Sequence, residues 1–266
     1  MRLTIDHRTT YRFTAPQGRV VQLLRMTPRN THDQTVAAWD INIDCDARLR
    51  EHRDGFGNIT TMLYAEGPLS GIEISVSGEV VTSSSSGVLH GTFEPLPAAL
   101  FLRSTPATHA EPALAAFAQA ATVGRAPIAA LHALNAAVHE RFTLVDGRPE
   151  AGLTVTAAFA RETATARDLA QMFVAAARAA GFPARYVTGY CDALPNGRPT
   201  PHGWADAWVE GLGWVGFDPT LGRSPEAHHV RVAVALDAAG CSPVAGSRLG
   251  EGREWLDVEV QVSGQD

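Results

Sequence analysis

A histidine where one strand begins and an aspartate where the next one ends, preceded in the chain by a capped helix, form the constellation in these 266 residues best suited to chemistry. The histidine is His202, the aspartate is Asp218, and between them runs Gly-Trp-Ala-Asp-Ala-Trp-Val-Glu-Gly-Leu-Gly-Trp-Val-Gly-Phe. The helix opens at Thr165-Ala-Arg-Asp168, where a hydroxyl three residues ahead of a carboxylate predicts a capping box. The N-terminus of a buried helix presents unpaired N–H groups and the positive end of its dipole, which would stabilise a thiolate or an oxyanion. Helix start, then His, then Asp on successive strands is the order of a Cys-His-Asp site. In such a site a thiol attacks an amide carbonyl, an imidazole takes the thiol proton and a carboxylate orients the imidazole. The thiol is missing, since no cysteine stands near the helix start.

The elements that must position these groups are legible. Leu169, Met172, Phe173, Ala176 and Ala180 recur at helical spacing, and Gly181 and Pro183 stop the helix. A strand, Ala184 to Tyr190, follows. Alternation then places His202, Trp204, Asp206 and Trp208 on one face of the first hairpin strand. It leaves the small residues Gly203, Ala205 and Ala207 on the other, a face suited to packing under a helix. A three-residue turn at Gly211-Leu-Gly213 with a glycine bulge would set Asp218 opposite Asp206, on the His202 face, whereas a two-residue turn would turn it away. The tryptophans Trp204, Trp208 and Trp214 read as core or cleft wall, because tryptophan buries so much apolar surface.

These residues closely resemble bacterial transglutaminase-like proteins, relatives of the papain-like cysteine peptidases. The hairpin, the helix before it and the strand Pro183-Ala-Arg-Tyr-Val-Thr-Gly-Tyr190 carry the resemblance. Arg25-Met-Thr-Pro-Arg29, Trp39 and Asp54-Gly-Phe-Gly-Asn58 look like the β-sandwich found at the N-terminus of such proteins, and His229-Val-Arg-Val-Ala-Val234 like their C-terminal strand. The resemblance implies acyl transfer by a Cys, with His202 as its base and Asp218 as the orienting carboxylate. The implied nucleophile position is Ala166. The family motif there is roughly Gly-x-Cys-Arg/Gln-Asp-Phe-Ala-His; this chain reads Ala164-Thr-Ala-Arg-Asp-Leu-Ala-Gln171. An engineered Cys-to-Ala replacement would change one position, whereas natural loss lets neighbours drift, and the differences at Ala164, Leu169 and Gln171 favour natural loss. Thr165 is committed to capping. Cys191 closes the strand before the loop 192–201 and reads first as a buried, inert thiol, though it is the only plausible choice for a displaced nucleophile; Cys45 and Cys241 lie elsewhere in the sequence.

The expected fold is α+β: an antiparallel β-sandwich with its linker over residues 1–105, then a transglutaminase-like core of helices followed by an antiparallel sheet over 106–266. A net charge of -6 gives no electrostatic footprint for nucleic acid or an anionic membrane surface. No apolar run approaches the roughly 20 residues of a membrane span, and the start lacks the apolar core of a secretory signal. Three cysteines without a Cys-x-x-Cys pair suit a reducing compartment, so a cytoplasmic location is expected. Phosphate-cradle and zincin motifs are absent. His132 and His139, and the adjacent His228 and His229, read as ordinary histidines, and neither a metal nor a cofactor is expected. The expected function is a non-catalytic or impaired member that keeps a cleft for a peptide or protein amide; the alternatives are an active peptidase or acyltransferase seen as a Cys-to-Ala variant, or an enzyme using Cys191.

Overall fold

Apolar residues alternate along two unusually long strands, β1 (Arg2–Thr27) and β4 (Ile59–Thr82), and these carry the N-terminal half. The computed structural model describes residues 1–194 and 197–265. β1 and β4 pair antiparallel along most of their lengths, with register shifts between Arg12 and Arg19 that bend the pair and split the sheet into two halves. β2 (Gln34–Ile43) adds to β4 in one half and β3 (Ala47–Arg53) in the other. The halves close on a shared core of Tyr11, Leu24, Met26, Leu63, Ile72 and Ile74, which is sandwich packing built from one folded sheet.

A short 3-10 turn (Ala98–Leu102) leads to α1 (Pro112–Thr122) and α2 (Pro127–Arg141), each with proline at its first helical position, where the missing N–H costs nothing. A two-residue pair, β5 (Thr143–Leu144) with β6 (Thr163–Ala164), brackets α3 (Val155–Phe159). α4 (Ala166–Ala179) follows directly. The second sheet has the order β10-β7-β8-β9, from β7 (Ala184–Cys191), β8 (His202–Val209), β9 (Gly213–Phe217) and β10 (His229–Ala235). α4 is buried along its length apart from Arg167 and its last residue, Ala179, and packs with Leu114, Ala118, Leu131, Leu134 and Val138 of α1 and α2. The mixed α+β class holds, with antiparallel sheets.

The chain then departs from the expected division at residue 106. β11 (Val244–Leu249) and β12 (Glu254–Gln265) leave the core and return to the first sheet, where both pair with β1 (Leu24 opposite Val244, Ile5 opposite Val262). The residues after about 243 therefore belong structurally with 1–82. The physical reason is the free edge of β1: β4 satisfies one side of it, and the other needs a partner that the first 105 residues do not supply.

The two units are tied by side chains that stand in for strand partners. Asn58, in the turn Asp54–Asn58, donates from Nδ2 to the Val234 carbonyl and accepts from the Val234 N–H, both at 2.8 Å. Gln34 does the same at Arg231, at 2.9 and 2.7 Å. These amides occupy backbone groups on β10, the edge of the second sheet, and block its extension. His7 Nδ1 meets the Tyr190 hydroxyl at 2.9 Å in a buried contact between the units.

Candidate active site

The start of α4 is built as its sequence predicts. Thr165 Oγ1 accepts from the Asp168 N–H, while the Thr165 N–H and hydroxyl both donate to Asp168 Oδ2, at 3.2 and 2.7 Å. Arg167 donates to Asp168 Oδ1 (3.1 Å) and to the Glu150 carbonyl (2.6 Å), which fixes the first turn from outside. Ala166 is the first helical residue, and it is buried.

Arg178, in the last turn of α4, is buried and donates to the carbonyls of Phe101, Ala184 and Leu236 and to the Thr108 hydroxyl. Burial lowers its pKa to about 10, still far above neutrality, so it stays a cation spread over these oxygens. Its bond to Ala184 pins the C-terminal end of α4 to the first residue of β7, so the helix runs back along the sheet. The first turn of α4 therefore lies toward the end of the sheet where β7 finishes at Cys191 and β8 begins at His202.

β8 and β9 join through Glu210-Gly-Leu212, with Val209 opposite Gly213 and Asp206 opposite Gly216. The turn was expected one residue later, so Asp206 does not face Asp218 as anticipated. The loop nevertheless has an odd number of residues, and that parity keeps Asp218 on the His202 side. Asp218 lies one position beyond β9, held by reciprocal backbone hydrogen bonds with Arg223 (2.8 and 3.2 Å), and its Oδ1 accepts from the Thr220 N–H at 2.9 Å.

His202 Nε2 donates to Asp218 Oδ2 at 2.7 Å, and both side chains are almost fully buried. A third member joins them in place of the ordinary histidine expected at 229: His229 Nε2 donates to the same oxygen at 3.0 Å, and its Nδ1 accepts from the Glu226 N–H at 3.3 Å. Burial alone would raise the Asp218 carboxyl, but the two imidazoles outweigh it and hold the group well below the usual carboxylate range. Burial lowers the His229 pKa, against the pull of Asp218. The other ring nitrogen of His202, Nδ1, is buried, and among the described residues it has no hydrogen-bond partner.

Cys191 pairs directly with His229 across β7 and β10. Its sulfur and one ring nitrogen from each of His202 and His229 all lie within 4.8 Å of one another. Among the described residues, no hydrogen bond joins the sulfur to either imidazole. Burial, reinforced by the Asp218 charge, pushes the Cys191 thiol up to about 12, so it is protonated and weakly nucleophilic at neutral pH. Cys241 is buried elsewhere, against the Tyr186 carbonyl, and Cys45 lies in the bend that joins β2 to β3. His132 rests edge-on against Phe217 and His139 meets the Pro219 carbonyl, so those two histidines do not converge.

The other face-mates of His202 do structural work. Asp206 accepts from Arg185 (2.9 Å) and twice from Arg231 (2.7 Å each), while Arg185 reaches Glu94 at 2.6 and 3.0 Å and lies 4.1 Å from the Trp214 ring centre. Trp204 is buried and stacks beside His202, with ring centres 5.8 Å apart. On the opposite face, Gly203 has no room for a side chain: a Cβ there would overlap the Tyr186 hydroxyl.

Beside the first two turns of α4 lies an apolar cavity of about 440 Å³. Arg167, Gln171, Tyr186, Thr188 and the run Pro199–Pro201 line it, with Arg148 at its margin. It reaches the helix start and the segment leading into His202, but the ring of His202 is not part of its wall.

Comparison with known proteins matches this architecture. Residues 3–81 fit the family model for the bacterial transglutaminase-like N-terminal region, and residues 115–219 fit that for the transglutaminase-like superfamily. Similar chains include an uncharacterized protein of Mycobacterium leprae, 24% identical over 278 residues and covered over 98% of both chains. An uncharacterized protein of Mycobacterium tuberculosis is 26% identical over 293 residues, covering 98% of this chain and 92% of its own. A crystal structure from Cytophaga hutchinsonii, described as that of a "putative cysteine protease", superposes with a TM-score of 0.79 at 18% identity, covering 100% of this chain and 91% of the other. The chain belongs to the transglutaminase-like superfamily, with a bacterial transglutaminase-like N-terminal region ahead of its core.

Proposed function

We propose that this protein is a transglutaminase-like chain that has lost covalent catalysis and keeps a cleft for a peptide or protein amide. The observation that carries the reading is Ala166 as the first residue of a capped, buried helix, at the position where the family motif puts its cysteine. A methyl group there cannot form a thioester, and without one the acyl-transfer sequence has no first step. The apolar cavity beside that turn is suited to an extended peptide segment, with Arg167 and Arg148 at hand for its carbonyls or acidic side chains. His202 and Asp218 would then act on the shape and polarity of the site without activating a nucleophile.

The proximity of Cys191 to His202 and His229 favours one other reading, that of a displaced nucleophile. Against it stand the raised thiol pKa and the absence of a hydrogen bond to either ring. Ammonia release from glutamine-containing peptides, and cleavage of the peptides themselves, test both. The expected result is no turnover by the wild-type chain at any pH from 6 to 9, together with saturable binding of a subset of peptides weakened by Arg167→Ala. Turnover abolished by Cys191→Ser would establish the displaced nucleophile and overturn the proposal.

A further inference from the structure

Three side chains that the amide reading does not need, or uses only in part, converge on one buried spot. Cys191 closes β7, His229 opens β10 opposite it, and His202 opens β8. All are at least nine-tenths buried. One donor atom from each lies within 4.8 Å of the others, and Asp218 is hydrogen-bonded to both imidazoles. Among the described residues, two features are costly for a purely structural cluster: the buried Nδ1 of His202 without a partner, and a thiol beside two imidazoles without a hydrogen bond to either.

We propose that Cys191, His202 and His229 form a binding site for a borderline-soft divalent cation of the zinc type, with Asp218 supplying the second negative charge. One thiolate and two imidazoles make a donor set suited to zinc and poorly suited to the oxygen-seeking magnesium and calcium ions. Ligands about 2.0–2.3 Å from a tetrahedral ion stand roughly 3.3–3.7 Å from each other. The observed spread of up to 4.8 Å therefore needs side-chain rotations and no change of strand register.

Charge balance supports the assignment. A thiolate and the Asp218 carboxylate offset a divalent cation between two neutral imidazoles, leaving a buried centre with no net charge. The thiol proton passes to solvent as the S–metal bond forms. Asp218 holds His202 in the manner of carboxylates that orient metal-bound histidines, with Nδ1 left for the ion, whereas ligation by His229 takes the place of one of its present hydrogen bonds, to Asp218 or to the Glu226 N–H. A cavity of about 30 Å³, lined by Trp204, Glu226, His229 and Arg231 among others, adjoins the His229 side of the cluster.

Cobalt(II) is the probe, because thiolate ligation gives it a charge-transfer absorption and tetrahedral geometry an intense visible spectrum. Chelator-treated full-length chain is titrated with cobalt and then with zinc. The expected result is saturation at one equivalent per chain with both spectral features, and displacement by zinc with a rise in thermal midpoint that follows zinc concentration. A Cys45→Ser/Cys241→Ser double variant, which leaves the cluster untouched, should keep both features. Cys191→Ser should lose the charge-transfer band, and His229→Gln should bind cobalt at least about tenfold more weakly. Absence of the band in the wild-type chain, its loss in the Cys45/Cys241 variant, or unchanged binding in His229→Gln would overturn the site. Because the wild-type spectrum and the double variant decide the matter on their own, a Cys191 variant that fails to fold does not obscure it. The outcome does not depend on whether the chain turns over amides.

Discussion

Restoring the sulfur at position 166 measures how much of the amide site's electrostatics survives. Ala166→Cys adds one atom at the first turn of a helix whose cap and capping box are intact. The helix N-terminus stabilises an adjacent anion by about 1 kcal/mol, up to about 2 when partly buried, which lowers a thiol pKa by about one. A nearby imidazolium lowers it by about one to three more. Burial opposes both. Cys191, comparably buried but without a helix start, shows the direction of that opposition, its thiol being pushed up to about 12 by burial together with the Asp218 charge. Ala166 is itself buried, but the 440 Å³ cavity lined by the neighbouring Arg167 and Gln171 lies beside it, so burial should return only part of the gain. The expected pKa is about 7, against about 8.5 for a free thiol. The assay is the pH dependence of iodoacetamide alkylation at residue 166, followed by mass spectrometry in a Cys45→Ser/Cys191→Ser/Cys241→Ser background, with and without His202→Ala. An apparent pKa at or above 8.5, or one that His202→Ala leaves in place, would refute the argument that helix and imidazole still act on one point. Reactivity restored without peptide turnover would direct attention to Ala164 and Gln171, where the family motif has Gly and His.

Two further outcomes follow from buried charge. Asp206→Asn removes the carboxylate that accepts three hydrogen bonds from Arg185 and Arg231; it should cost about 3–5 kcal/mol in denaturant unfolding, because two guanidiniums lose their buried counter-charge, and a loss below about 1 kcal/mol would show that Glu94 alone balances Arg185. Burial lowers the pKa of His7 to about 4, so between the unfolded value near 6.5 and pH 4 the unfolded chain holds a proton that the folded chain does not. Stability should therefore be fully present above pH 6.5 and fall by roughly 3 kcal/mol as pH drops to 4. His7→Gln should flatten that part of the urea-midpoint profile, and an unchanged slope would assign it to other groups.

The local parts of the site were readable because their signals are local. The capping box spans four residues, α4 carries its own stripe and stop, and the side of the hairpin that receives Asp218 depends only on the odd length of its turn. The turn's position was misplaced by one residue, since two glycines flank Leu212 and either Gly211 or Gly213 can adopt the positive φ the bend requires; in the fold both do. His229 was passed over for a different reason. Alternation within its strand puts His229 and Arg231 on one face, but which neighbour that face meets is set by the pairing of β10 with β7, some 40 residues apart. The same limit hid the return of β11 and β12, whose register is fixed by a strand at the other end of the chain.

That return makes the two family regions inseparable as folding units. β1 is hydrogen-bonded along one edge by β4, and along the other by β12 and β11 in succession. A fragment ending near residue 105 would keep the first edge and bare the second, a row of unpaired N–H and C=O groups along much of a 26-residue strand. Such an edge templates pairing with any other extended chain, including its own copies. The core is in effect a long insertion between strands of one sheet, so the sheet cannot begin to be completed until synthesis has passed residue 244, nor be finished before β12 is made. A nascent chain therefore carries an open β1 edge throughout the making of the core, and that interval is when self-association through β1 competes with folding.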